Sequence, residues 1–205
     1  MTTCLQVIDL ACQRGARLLF EDVSFSLGRG EALVITGPNG TGKSSLLRIL
    51  AGLLEEEDGE ISHDDEMLYL GHLDALKPQM SVMENLRFWV ALFGGTGDLH
   101  TALTRFGLGH IPDLTAGVLS AGQRRRLTLA RFSCFLGGDS ARPIWLMDEP
   151  DSALDDAGRG LLDELLAEHL SLGGVVLAAT HRGLGIDATE LKMGELNIGE
   201  LGMGS

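Results

Sequence analysis

The residues Gly37, Pro38, Asn39, Gly40, Thr41, Gly42, Lys43 and Ser44 carry the first piece of chemistry. They fit the G-x-x-x-x-G-K-[ST] phosphate loop, whose glycines let backbone N–H groups wrap a polyphosphate with no Cβ in the way. Lys43 is placed to put a positive charge on the β- and γ-phosphates of a nucleotide. Ser44 offers a hydroxyl to Mg²⁺, and Ser45 stands beside it in the same helical turn. A second piece lies downstream, where the apolar run Ile144-Trp145-Leu146-Met147 ends in Asp148-Glu149. An acidic residue at the end of a buried strand holds Mg²⁺ against the nucleotide, which is the role expected of Asp148. A carboxylate one step further on, Glu149, can take a proton from the water that attacks the terminal phosphate. Such a site hydrolyses its ligand as well as binding it.

Chemistry of this kind needs rigid elements to position it. Leu33-Val34-Ile35-Thr36 leads into the loop as a strand, and Leu46, Leu47, Ile49 and Leu50 continue beyond it as a helix whose positive end faces the anion. Upstream, residues 5–10, 18–20 and 23–27 read as three strands separated by Gly15 and Glu21-Asp22, forming an antiparallel β region. Gly52 closes the first helix, and residues 59–62 and 67–70 are short strands. Ser81 with Glu84 three residues on predicts a capped helix bearing Val82, Leu86, Trp89, Val90 and Phe93 at helical spacing, ended by Gly94-Gly95. Asp98 caps a further helix through Phe106. Another opens at Leu119-Ser120-Ala121-Gly122-Gln123 and stops at Gly137-Gly138.

Residues 144–147 and 175–179 have the composition of fully buried parallel strands, with a helix over 156–170 between them and Thr180-His181 delivered at the end of the second. Residues 191–193 and 196–198 read as edge strands, and 202–205 as a loose tail. The expectation is one α/β domain over 1–205, with a core of 1–77 and 139–205 and a helical lobe over 78–138.

Composition narrows the function. Sixteen Lys and Arg against 29 Asp and Glu give a net charge of −13 over 205 residues, so an extended basic face for nucleic acid is not expected. Arg124, Arg125 and Arg126 form the only conspicuous basic run, read as a solvated helix face. Cys4, Cys12 and Cys134 are odd in number, lack C-x-x-C spacing and read as reduced thiols of a cytosolic protein. No stretch resembles a signal peptide or reaches the ~18 apolar residues of a membrane span. Work at a membrane would then go through another chain.

The order of the phosphate loop, Leu119-Ser120-Ala121-Gly122-Gln123, Ile144–Pro150, Ser152–Asp155 and a His after the next strand resembles the ATP-binding-cassette nucleotide-binding subunits over nearly the whole chain. The implied fold is a phosphate-loop NTPase with a RecA-like core, an N-terminal antiparallel β region and a helical lobe. The implied ligands are ATP and Mg²⁺. The run 119–123 is close to the LSGGQ signature, with Ala121 in place of one glycine. Ser120 and the backbone around Gly122, with Gln123, then make a second anion-binding helix start that serves the nucleotide of the opposite subunit. Two copies would pack head to tail around two ATPs. By position, Asp155 closes the loop of the cross-dimer contact and His181 senses the γ-phosphate.

Two positions depart from the pattern. His72 stands where the family has a Gln that touches Mg²⁺ or the attacking water; because Mg²⁺ prefers oxygen ligands, His72 is expected to act through water or through conformational coupling. Arg14 stands near the place of an aromatic that stacks on adenine, and could lie across the base instead.

Tyr69-Leu70-Gly71-His72, Leu76-Lys77-Pro78, Glu84-Asn85-Leu86, residues 119–125 and the passage 164–174 are similar to the ATP-binding subunits of cytochrome c maturation haem exporters. That resemblance implies peripheral work on the cytoplasmic face of a bacterial inner membrane, beneath separate membrane subunits of a haem-handling complex. Alternatives are the ATPase subunit of another transporter of this kind and a soluble non-transport cassette ATPase. Phe88, Trp89 and Phe93 make the helix over 81–93 the expected docking surface, or else ordinary core.

Overall fold

The computed structural model describes residues 3–136 and 143–194. Two sheets organise them. Strands β1 (Thr3–Arg14), β2 (Arg17–Gly28) and β4 (Asp58–His63) form an antiparallel sheet of order β2-β1-β4. Strands β3 (Ala32–Thr36), β5 (Met67–Leu70), β6 (Ile144–Asp148), β7 (Val175–Ala179) and β8 (Thr189–Lys192) form a parallel sheet of order β5-β6-β7-β3-β8. Every residue of β6 and β7 is buried, as the unbroken apolar runs require.

Because the strands are parallel, their carboxyl ends share one edge. The phosphate loop, Gly71-His72, Asp148-Glu149 and Thr180-His181 all leave the sheet there, which is where open α/β sheets hold their ligands.

The pleat divides the core in two. Ile144, Leu146, Val175 and Leu177 face α1 (Lys43–Leu50) and the antiparallel sheet, whereas Trp145, Met147, Val176 and Ala178 face the other way. On that second side lie α2 (Val82–Phe93), α3 (Leu99–Arg105), α4 (Ala121–Ser133) and α5 (Asp156–Ser171). The three middle helices share one continuous cluster with the sheet and α5: Leu86, Leu103, Phe106 and Phe132 join Trp145, Leu162 and Leu166. Trp145 is its largest fully buried side chain, packed edge-on to Phe132 and stacked flat on His169 at 3.6 Å.

Local signals set most helix starts. Ser81–Glu84 and Ser120–Gln123 each close a reciprocal capping box, and Asp98 and Asp155 cap through their carboxylates.

The antiparallel region differs from expectation. Residues 18–20 and 23–27 belong to one strand, and Glu21-Asp22 does not interrupt it. Asp22 and Asp9 take positive φ (55° and 49°) and the β1–β2 register slips between Val7 and Leu10, while Ser24 Oγ bonds both the Asp9 N–H and its carboxylate. The extra residues are absorbed as bulges, which a period-2 count mistakes for a break. Strand β1 also runs on to Arg14 in place of ending at Leu10. The run expected over 191–193 is β8, shifted two residues earlier at its start and paired with β3 at the sheet edge. The expectations at Gly137-Gly138, 196–198 and 202–205 fall outside the described residues.

Candidate functional site

The phosphate loop is clamped from two sides. Gly37 has φ 134°, and a side chain there would run into the carbonyl of Met193, just past β8. Gly42 has φ 103°, and a Cβ there would sit 2.7 Å from the Phe20 ring on β2. Glycine at these two places is demanded by both backbone and space. Lys43 is buried and folds back over the loop, its Nζ donating to the carbonyls of Gly37 (2.7 Å) and Pro38 (3.0 Å). Thr41 Oγ1 also donates to the Pro38 carbonyl, at 3.0 Å. Helix α1 begins at Gly42 with no side-chain cap, so its first-turn N–H groups are left for an anion.

Strand β6 delivers the carboxylates. Asp148 is buried at its end and accepts from Ser44 Oγ at 3.0 Å. The pair presents two hard oxygens together beside the loop, a donor set that suits Mg²⁺. Glu149 turns the chain with φ 50° and donates its N–H to the Ala179 carbonyl at 2.8 Å, locking it to β7. Its carboxylate lies 3.4 Å from His181 Nε2. His181 is held by the strand end, where Thr180 Oγ1 bonds Asp151 at 3.2 Å and accepts the Arg182 N–H at 3.1 Å.

These groups face one open cleft of about 890 Å³, within the size range of ligand sites. Of the expected residues, Arg14, Asn39, Gly40, Gly42, Lys43, Ser44, Ser45, His72, Asp148, Glu149 and His181 line it. Gly37, Pro38 and Thr41 shape the loop behind it. Ser120, Gly122 and Gln123 are not there: they line a separate pocket of about 570 Å³ with Arg126 and Asp155, and the two share no residue. Ser120 Oγ accepts the Gln123 N–H at 3.2 Å while Gln123 Oε1 accepts the Ser120 N–H at 2.9 Å, so the cap fixes the start of α4. Asp155 accepts from Arg126 at 2.6 Å and from the Gly158 N–H at 2.9 Å, and those bonds hold its carboxyl below the usual carboxylate range.

Sequence reasoning missed four residues of the cleft: Arg17, Leu19, Arg48 and Ser152. Arg17 reaches the phosphate loop itself, its Nη2 donating to the Gly40 carbonyl at 3.4 Å. The signal was available, because Gly15 (φ 62°) makes Arg14-Gly15-Ala16-Arg17 a tight hairpin that pairs the two arginines across its end.

The reading of 124–126 as a solvated basic face is corrected. Arg125 is only 2% exposed, Arg124 donates to the Leu119 carbonyl at 2.6 Å and Arg126 pairs with Asp155. A run of cations is solvated only when nothing packs on all its faces, and consecutive helical residues point about 100° apart. Burial lowers the Arg125 pKa, with Asp74 opposing the shift. The three cysteines are buried free thiols, and burial pushes Cys134 up to about 11.

A glycine-rich loop between strand and uncapped helix, facing a strand-end Asp-Glu pair, defines a phosphate-loop nucleotide-binding domain of the α/β class. The model of the ABC transporter family matches residues 20–152, and the chain belongs to that family as its ATP-binding, ATP-hydrolysing component. It is 47% identical to the "Cytochrome c biogenesis ATP-binding export protein CcmA" of Bradyrhizobium diazoefficiens over 193 residues, 89% of this chain and 94% of that one. It is 48% identical to the protein of the same description from Ruegeria pomeroyi over 191 residues, 93% and 91% of the two chains. Among solved structures, an ATP binding subunit of an ABC transporter superposes with TM-score 0.77 at 24% identity, over 87% of this chain and 79% of that one.

Proposed function

We propose that this chain is the ATP-hydrolysing subunit of a bacterial ABC complex of cytochrome c biogenesis. In this reading two copies pack head to tail on the cytoplasmic face of the inner membrane, beneath membrane subunits that handle haem. The subfamily reading is supported by the description shared by the 47–48% identical relatives. The observation that carries the two-copy reading is the separation of the pockets: one chain holds the phosphate loop and the Ser120–Gly122 helix start on surfaces with no residue in common. A cleft open on one side and an anion-binding helix start with no anion site of its own are the two halves of one site.

Within that site, the loop N–H groups and Lys43 hold the β- and γ-phosphates, and Arg14 and Arg17 stand where the base and ribose would lie. Mg²⁺ would be held by Ser44 and Asp148, and when bound it neutralises phosphate charge. Glu149 accepts the proton of the attacking water, and His181, 3.4 Å from that carboxylate, keeps it oriented beside the γ-phosphate. His72 lines the same cleft from the loop after β5 and reports its state to the helices. The membrane contact is the mainly apolar groove beside α2, about 510 Å³, lined by Met80, Glu84, Arg87, Phe88, Ala91 and Leu92. Trp89 is half-buried beside it, donating to the Ala75 carbonyl at 3.1 Å and stacking on the exposed Phe93.

Glu149→Gln tests the chemistry. ATP turnover should fall by about 100-fold or more while nucleotide binding persists; an unchanged rate removes Glu149 as the base. Affinity purification from a membrane extract tests the complex: recovery of haem-handling membrane subunits is expected, and recovery of another transporter's membrane subunits would refute the subfamily assignment.

A further inference from the structure

A buried side chain with five hydrogen bonds lies outside the cleft. Arg125 sits in α4, two residues beyond the signature run, with 2% of its surface exposed. A guanidinium has five N–H donors in a rigid fork, and each one here is matched. Nε donates to the Pro150 carbonyl (3.1 Å), and Nη2 to the carbonyls of Asp148 (3.1 Å) and Glu149. Nη1 donates to the Gly71 carbonyl and to Asp74 Oδ1, both at 3.3 Å.

Three of those acceptors are consecutive carbonyls, and they converge on one group where Glu149 turns the chain with φ 50°. That conformation is strained for a residue with a side chain and persists only where its surroundings impose it. The other two acceptors flank His72. One cation thus ties together the backbone of the catalytic base, the loop carrying His72 and the helix that begins at Ser120.

We infer that Arg125 is a positioning residue for hydrolysis: it holds the Asp148–Pro150 backbone so that the Glu149 carboxylate meets the attacking water, and locks that geometry to the His72 loop and to α4. The inference rests on the reading of Glu149 as the base. It predicts that the chemical step, rather than nucleotide binding, depends on Arg125, because the phosphate loop makes no bond to it.

The test uses the full chain, with Arg125→Lys, Arg125→Gln and Glu149→Gln measured alone and the first two each combined with the third. Lysine keeps the charge but loses the fork, and glutamine avoids a buried unpaired charge. In each single Arg125 variant, the dissociation constant of a fluorescent ATP analogue should stay within about twofold. The turnover number should fall about 10- to 100-fold, the scale of a misplacement near 1 Å. Each double variant should be no slower than Glu149→Gln alone, because a residue acting through Glu149 has nothing left to position. A merely structural residue would lower thermal stability and would multiply its loss onto that of Glu149→Gln. Turnover within about twofold of wild type in either folded variant, multiplicative losses, or failure of both variants to fold would each overturn the inference. Wild-type turnover by Glu149→Gln would instead remove the base reading on which it rests, an outcome read from that variant alone.

Discussion

The separation of the two pockets makes Ser120→Asp an informative change. Asp is as good an N-cap as Ser, so the carboxylate can still accept the Gln123 N–H that Ser120 Oγ accepts at 3.2 Å, and α4 should keep its start. What changes is charge. If Ser120 of one copy faces the γ-phosphate held by the other, a new negative group stands about 4 Å from an anion. At an effective dielectric of about 20 that repulsion is about 4 kcal/mol, or roughly a thousandfold in occupancy of the closed state. The single-chain cleft does not include Ser120, so binding of a fluorescent ATP analogue to the isolated chain should change little. Steady-state phosphate release should fall by about 100-fold or more.

Mixing sharpens the test. Ser120→Asp chains keep an intact phosphate loop, and Lys43→Ala chains keep an intact helix start. In an equimolar mixture about half the dimers are mixed and each has one wild-type composite site, so activity should return to about one quarter of wild type. No recovery on mixing variants that are each folded, or full activity in Ser120→Asp alone, would refute the two-half reasoning.

Gly42→Ala places a Cβ 2.7 Å from the Phe20 ring at φ 103°; a loss of about 1–3 kcal/mol in urea unfolding and of nucleotide binding is expected. Asp155→Asn probes the acid limb of stability. Bonds from Arg126 and the Gly158 N–H lower the folded pKa of Asp155 below its ordinary 3.8, so its contribution is present above that value and is lost as pH falls through the folded pKa. The variant, which can still cap α5, should show a shallower fall of the urea midpoint below about pH 4 than wild type; identical pH profiles would contradict the assignment.

Much of the site was legible because its chemistry is encoded at short range. The loop 37–44 and Asp148-Glu149 are contiguous, and each follows a run whose composition marks a strand. The capping box at Ser81 spans four residues and was legible for the same reason, whereas at Ser120 only the helix start was read and the reciprocal box with Gln123 came from the structure. The antiparallel sheet was less legible, since a bulge at Asp22 and a gap between strands look alike in a period-2 pattern.

Read alone, residues 37–44 already pointed to a nucleotide polyphosphate between β3 and α1, and residues 144–149 to a candidate metal-ligand carboxylate and a candidate base at the end of β6. What came only from the folded chain is that Arg17 joins Arg14 in that cleft and that Arg125 alone of its run is fully bonded inside. The reason is separation along the chain. Arg17 meets Gly40 across 23 residues and Arg125 meets Gly71 across 54. No periodicity within a helix tells which face a distant loop will cover.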